Sequence, residues 1–349
     1  MSYIYFIRHL AFGLFLFIFS TGIAWAIMQR KNIMDTPNQR SSHTMPTATS
    51  GGLAIVLTFF LGMGILYFIG DETMIKSRFF FGFTFSSLLI AGMSLYDDYR
   101  DKPFLIRLLT QILGIIVVMS FGIVINRIDF PGFDTPFMTM AGYFLTFFWI
   151  LGLTNAYNFM DGLNGIAGGT AVIAALFLGI ISYDQGSNFT YMVCYALLAG
   201  TAGFLVFNFP RGKLFMGDVG STFLGFSFAT LAIISSLYDN AHTSLLVVPL
   251  LLFHFIFDTF FTFVRRYVSH ENVFHAHRSH LYQLLNRLGY SHTFVTLFYC
   301  TLGVVQGLGA YWMVHISGSA RILIFIPYLI FNCLYAAWVI LHAKKKKLL

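Results

Sequence analysis

Long apolar stretches alternate with short polar ones along the whole chain. A helix that crosses a hydrocarbon core of ~30 Å needs about 20 apolar residues. On that basis the sequence predicts eleven spans, at 3–27, 51–70, 79–95, 104–125, 136–156, 161–182, 189–208, 219–238, 243–264, 294–314 and 321–342. A β-barrel would show weak alternation in strands of ~10 residues, a pattern the dense helical windows exclude. The first window is too long for a signal peptide and lacks a small-residue cleavage site, so it reads as a retained span. The expected fold is all-α: a polytopic integral membrane protein with about eleven transmembrane helices.

Composition agrees. Of 349 residues, 57% are hydrophobic and 10% charged, with mean hydropathy +0.75. A soluble domain carries roughly 25% charged residues, so this chain cannot build a water-facing surface. Residues 1–349 read as a single membrane-embedded domain with no internal repeat, and 265–293 as a substrate-recognition loop within it. The cysteines Cys194, Cys300 and Cys333 all fall in apolar spans without ligand spacing, which makes them packing residues.

Lys and Arg set the orientation. With the C-terminus inside, segments 28–50, 96–107, 209–213, 265–293 and 343–349 hold sixteen of the 21 basic residues. These segments are therefore expected to be cytoplasmic. The closing Lys344 to Lys347 reads either as an anchor to anionic lipid or as a plain topology signal. The formal charge of +7 needs no nucleic acid to explain it.

The acids sort unevenly. Asp71, Glu72, Asp129, Asp134, Asp184 and Asp239 fall in short outer loops and read as solvated charges. The other eight lie on the inner side, several at span ends, where an unpaired charge is costly. In LYDDYRD, adjacent Asp97 and Asp98 repel unless a cation lies near them. In KLFMGDVGSTFLG, Asp218 sits between Gly217 and Gly220 at the start of a span, beside Phe215 and Ser221. Such a turn admits anionic oxygens to a helix N-terminus. Asp218 as a simple N-cap leaves those neighbours unexplained, whereas Mg²⁺ prefers one or two carboxylates plus substrate phosphates.

NAYNFMDGLNG places Asn155, Asn158, Asp161 and Asn164 at steps of three, a slowly drifting stripe if the segment is helical. Asn offers neutral oxygen to a metal and N–H donors to phosphate or base edges. Polar glue between helices is the other reading. In FHAHRSHLYQ, the histidines His275, His277 and His280 surround Arg278 with no cysteine near. That disfavours zinc and suits phosphate, with Arg265 and Arg266 as further donors. The loop DTPNQRSSHTMPT adds Arg40 and His43 as anion contacts.

Taken together, DTPNQRSSHTMPT, DDYRD, NAYNFMDGLNGIAGG, FNFPRGKLFMGDVGS and HAHRSHLYQ, in order across 35–283, resemble the polyprenyl-phosphate N-acetylhexosamine-1-phosphate transferases, glycosyltransferase family 4. The HRSHLYQ wording looks more like the O-antigen-initiating branch than the peptidoglycan one, which tends to adjacent histidines. The resemblance implies transfer of sugar 1-phosphate from a UDP-N-acetylhexosamine to undecaprenyl phosphate at the cytoplasmic face of the inner membrane, releasing UMP. It implies Mg²⁺, with Mn²⁺ as a possible substitute, held by Asp218 and Asn158. Asp97, Asp98 and Asp161 would line the pocket, and Arg107 matches a basic position near the reacting phosphates. Phe215 and Asn164 would hold the uracil, with Arg278, His277 and His280 facing phosphate or sugar. Partners are those two substrates, membrane lipids and, as an option, a second copy in a homodimer. Many relatives carry Pro-Arg after the Pro-Thr of the first loop; Pro46-Thr47 runs here into Ala48-Thr49, leaving Arg40 as the anion contact. Asp258 matches a family Pro…Asp pattern and is either a site residue or a support for Arg265 or Arg266. The rival class, a lipid-linked-substrate transporter or flippase, predicts mid-membrane charges and repeats, and neither is found.

Overall fold

The computed structural model describes residues 3–30, 34–35, 46–69, 75–100, 104–126, 137–273, 275 and 277–349. It is all-α apart from a two-stranded antiparallel pair, β1 (Met34–Asp35) with β2 (Thr47–Ala48). Every predicted window overlies helix for most of its length among the described residues. The first five are α1 (Tyr3–Met28), α2 (Gly52–Ile69), α3 (Ser77–Arg100), α4 (Phe104–Ser120) and α5 (Phe137–Phe159). They are followed by α6 (Ile166–Gln185), α7 (Asn188–Asn208) and α8 (Gly217–Leu237). The window 243–264 is broken into α9 (Val247–Leu251) and α10 (Phe253–Val268). A short α11 (Leu281–Arg287) lies within the inner loop, and α12 (His292–Val314) and α13 (Phe325–Lys345) complete the chain. Among the described residues, seven helices are long and apolar enough to cross a membrane, and α2 and α4 are apolar but shorter.

The break near Leu252 follows Pro249, which has no N–H to give the helix. An amide freed in lipid costs several kcal/mol unless another group meets it. Gln306 of α12 does so: its Oε1 lies 3.4 Å from His254 N and 2.6 Å from His254 Nδ1.

Helix α8 is the axis of the bundle, buried without interruption from Val219 to Ser236. Helices α2, α3 and α5 pack directly against it, while α1 and α13 lie at the periphery with their apolar side chains exposed. In lipid such packing relies on close contact, which small residues permit. Gly52 of α2 meets Gly220 of α8 so closely that a Cβ on Gly52 would fall 2.2 Å from Gly220 Cα. That contact brings the segment before α2 alongside the N-terminus of α8.

One window needs correction. The stripe expected over 155–164 is not one helix: α5 ends at Phe159, and α6 begins only after Gly165, whose φ is +81°. The Gly165 amide donates instead to Asn208 Oδ1 at 2.7 Å, pinning the turn to the end of α7.

Candidate active site

The polar ends of several helices meet at one end of the bundle, around the first turn of α8. Gly217 opens that turn at φ +73°, and a Cβ there would strike Asp98 Oδ2. Asp98, from the last turn of α3, takes the amide of Asp218 at 2.9 Å on Oδ1 and that of Val219 at 3.4 Å on Oδ2. Ser50 Oγ adds a bond to Oδ2 at 3.1 Å. Asp98 thus caps a helix 120 residues away in sequence. The preceding segment is fixed by backbone bonds, Phe215 N to Ala48 O at 2.8 Å and Gly51 N to Phe215 O at 2.8 Å.

Asp218 is the meeting point. Arg107, from the start of α4, donates through Nη1 to Asp218 Oδ2, and its Nε lies 3.0 Å from Asp97 Oδ2. One guanidinium therefore neutralises a carboxylate from α3 and one from α8. The charge expected between Asp97 and Asp98 is supplied separately to each, by Arg107 and by the N-terminus of α8. From α5, Asn158 Nδ2 donates to Asp218 Oδ1 at 2.9 Å and to Ser221 Oγ at 2.8 Å.

Asp161 lies in the turn between α5 and α6, half-buried. Its carboxylate accepts no hydrogen bond among the described residues. Loss of hydration, then the charges of Asp218 and Asp98, hold that carboxyl well above the usual carboxylate range. Carboxylate oxygens of Asp218 and Asp161 with a neutral amide nearby are the kind of oxygen donors Mg²⁺ takes. Asn158 turns its NH₂ toward Asp218, and a half-turn of the amide exchanges NH₂ for oxygen at the same place. Among the described residues no three Asp, Glu, His or Cys side chains form a closed metal cage.

The remaining predicted residues divide. Asn155 is committed to structure: its Nδ2 donates to Gln111 Oε1 at 2.7 Å and to Leu151 O at 2.8 Å, tying α5 to α4. Gln111 joins Asp97, Arg107 and Thr222 in lining a narrow cleft between α3 and α4. Asn164 packs against Gly212 in the loop before α8, its Nδ2 3.4 Å from Pro210 O, and Phe215 is half-buried in that loop. Arg40 and His43 lie outside the described residues.

In the inner loop, His280 is buried, with its ring 4.9 Å from that of His277 and 6.1 Å from Phe159, the last residue of α5. His277 Nδ1 accepts from Ser279 Oγ at 3.1 Å, Arg278 is half-buried, and His275 is exposed. Tyr282 Oη donates to Phe159 O at 2.9 Å, so α11 is docked on the turn that carries Asp161. What holds α11 is Asp258. Its carboxylate accepts from Leu281 N at 2.9 Å, Tyr282 N at 3.1 Å, Tyr299 Oη at 2.8 Å and Thr262 Oγ1 at 3.2 Å. His280 Nδ1 lies 3.3 Å away, leaving Nε2 as the ring nitrogen free of that carboxylate.

One expectation changes here. Asp258 supports α11 and His280, with hydrogen bonds to neither Arg265 nor Arg266. Those arginines have partners within the loop itself: Arg266 is buried and donates to Glu271 Oε2, His275 O and Asn272 O, and Arg265 Nη2 donates to Ser279 O. They staple the loop. Ser50, Gln111 and Thr222 were not singled out from sequence, and an isolated Ser, Gln or Thr carries no local signal that would have found them.

An all-helical membrane bundle with acidic residues gathered at one helix N-terminus defines a class of integral membrane enzyme, and comparison with known proteins names its family. Residues 80–236, from α3 to α8, match glycosyl transferase family 4. A probable undecaprenyl-phosphate N-acetylglucosaminyl 1-phosphate transferase of Bacillus subtilis is 30% identical, over 83% of this chain and 80% of that protein. A decaprenyl-phosphate N-acetylglucosaminephosphotransferase of Mycobacterium tuberculosis is 30% identical over 82% and 77%. A phospho-N-acetylmuramoyl-pentapeptide-transferase of Staphylococcus saprophyticus is 28% identical over 76% and 77%. The chain belongs to glycosyl transferase family 4, the polyprenyl-phosphate hexosamine-1-phosphate transferases.

Proposed function

We propose that this protein transfers N-acetylhexosamine 1-phosphate from a UDP-sugar to undecaprenyl phosphate, releasing UMP and beginning a cell-envelope glycan such as O-antigen. A phosphate oxygen of the lipid attacks the sugar-bearing phosphorus, and the bond from that phosphorus to the oxygen bridging to UMP breaks. N-acetylglucosamine is the first sugar to test, because two of the relatives above are named for it. The active site faces the cytoplasm at the inner membrane in this reading, supported by the basic residues of the loops that meet there.

The observation that carries the proposal is the convergence on Asp218 of Arg107, Asn158 and, through the backbone, Asp98. Phosphoryl transfer is chiefly positioning and charge neutralisation, and this recess offers both. Asp218 and Asp161, with the Asn158 amide oxygen, would hold Mg²⁺ or Mn²⁺, which when bound offsets charge on the diphosphate. Arg107 places a permanent positive charge beside the same oxygens. Asp98 fixes the α8 N-terminus, whose partial positive charge faces the recess. His277, His280 and Arg278 supply donors from α11 and the loop before it. No general base is required, since a phosphate monoester has its second pKa near ~6; Asp98 attacking as a covalent nucleophile would first have to give up its hold on α8.

The test is UMP release by purified protein given undecaprenyl phosphate and a panel of UDP-N-acetylhexosamines, with Mg²⁺ or EDTA, beside Asp218→Asn. Release that needs the metal and fails in the variant is expected. Folded protein that releases no UMP with any sugar would refute the assignment.

A further inference from the structure

Between α11, α12 and α13 lies an apolar groove of about 450 Å³. Leu285 and Tyr290 form one wall, Phe294 of α12 the floor near them, and Phe331, Leu334 and Trp338 of α13 the other wall. Tyr290, Phe294, Leu334 and Trp338 are all exposed, so the groove opens outward. Its polar rim is basic. Lys344, Lys345, Lys346 and Lys347 follow directly from Trp338 and His342 on α13, all four exposed. Arg287, at the end of α11, is also exposed, but its Nη1 donates to Arg278 O at 3.1 Å and so belongs to the inner loop. Lys346 Nζ donates to Leu288 O at 2.8 Å, closing the rim between α13 and α11. No acidic residue occurs anywhere after Glu271, so nothing in the groove's own elements offsets this charge.

We propose that this groove is a binding site for an anionic phospholipid of the surrounding leaflet. One acyl chain lies along the aromatic floor and the headgroup phosphate rests among Lys344, Lys345 and Lys347. Aromatic side chains below a cluster of Lys and Arg match a lipid's own order of tail, interface and headgroup, and each basic residue near such a surface adds attraction for negative lipid. The occupant is not the lipid phosphate that reacts. Helix α11 has seven residues, about 10 Å at 1.5 Å per residue, and it separates the basic rim from His280 and the turn holding Asp161. A headgroup on the rim is therefore out of reach of Asp218. The floor is nonetheless tied to that recess, because Tyr335 in the groove lies 3.2 Å from Tyr299 Oη, which donates to Asp258 under α11. This inference rests on the membrane fold and stands whatever sugar the enzyme uses.

The experiment uses the whole protein in detergent, titrated with phosphatidylglycerol or phosphatidylcholine carrying brominated acyl chains, with tryptophan fluorescence as readout. Trp338→Phe isolates the signal from the groove. Phosphatidylglycerol should quench Trp338 at about tenfold lower mole fraction than phosphatidylcholine. In Lys344→Gln/Lys345→Gln/Lys347→Gln that preference should fall to about twofold or less, as expected from the attraction lost with each basic group. Lys346 is left in place because it bonds to the fold. Equal quenching by the two lipids overturns the proposal, as does a triple variant that quenches like the wild type. Displacement of brominated phosphatidylglycerol by one equivalent of undecaprenyl phosphate would assign the groove to the substrate, and protection of Trp338 from both lipids in a dimer would assign it to a second copy; either result also overturns it.

Discussion

Replacing Asp258 by Asn removes one charge from a carboxylate that is 1% exposed and carries five polar contacts. The amide keeps one accepting oxygen. Its NH₂ must then face the donors that met the other oxygen. If it takes the place of Oδ2, it points at Tyr282 N and Tyr299 Oη. Tyr299 can turn its proton to Tyr335 Oη, 3.2 Å away, but the Tyr282 amide cannot move. A buried donor left without an acceptor costs about 1–3 kcal/mol, and the charge-assisted bonds lost with it bring the total to about 3–5 kcal/mol. Tyr299→Phe removes one of those bonds and the contact to Tyr335 Oη but leaves the carboxylate and the Tyr282 amide paired, so it should cost less, about 1–2 kcal/mol. The loss falls on α11 first, because the helix is held at its N-terminus by this side chain and by Tyr282 against Phe159. Limited proteolysis of residues 268–290 in the detergent-solubilised protein is the direct assay, with UMP release alongside. Asp258→Asn should be cut in that segment at concentrations of protease that spare the wild type, and should lose most of its activity. An Asp258→Asn protein as resistant and as active as wild type would show that α11 does not depend on this cap.

Three further substitutions probe the recess and its frame. Asp98→Asn keeps an oxygen for the Asp218 amide and should change thermal stability by less than Asp98→Ala, which loses a cap worth about 1–2 kcal/mol; equal Tm losses for the two would contradict the capping role. Arg107→Gln leaves Asp97 buried without its cation and should reduce UMP release on the order of a hundredfold, as measured for loss of one charge-stabilising donor elsewhere, while Arg107→Lys restores only part because one ammonium cannot span both carboxylates. Gly52→Ala forces a methyl onto Gly220 and should lower stability by about 1–3 kcal/mol, read as a Tm shift, whereas alanine at Gly64, which has open space around its Cβ position, should not.

The apolar windows were legible because a membrane span is a strong, local signal, and each of the eleven overlies helix. Polar positions were harder. Asn155 and Asn158 are three residues apart on the same helix, yet one ties α5 to α4 through Gln111 and the other reaches Asp218 on α8. Spacing along the chain could not tell them apart, because their roles are set by which neighbour each faces. Arg265 and Arg266 read as phosphate donors on charge alone, and the loop carbonyls they bind are visible only once the loop is folded. Asp239 was misread because its partner lies on another helix. It looks like a solvated loop acid but is 5% exposed, and its Oδ2 accepts from Thr190 N at 2.8 Å and Thr190 Oγ1 at 2.7 Å.

Asp239, Asp98 and Asp258 share one task. Each closes the N-terminus of a helix remote in sequence: α7, α8 and α11 in turn. Helices α7 and α8 have no side-chain cap of their own; Ser187 stands at the N-cap of α7 without bonding to its first turn, and Met216 stands at that of α8. In water, solvent would meet such amides at little cost. Where lipid or packed protein excludes water, the same amides cost several kcal/mol each if unmet, so a distant acid is worth burying there. The consequence for the site is direct. Two of these three acids hold the helix ends that form its walls, so the fold places negative charge in the recess before any substrate binds. If the proposed function holds, an acidic recess that receives a diphosphate needs added positive charge. Arg107 supplies one unit, and a divalent cation is the chemistry that would supply the rest.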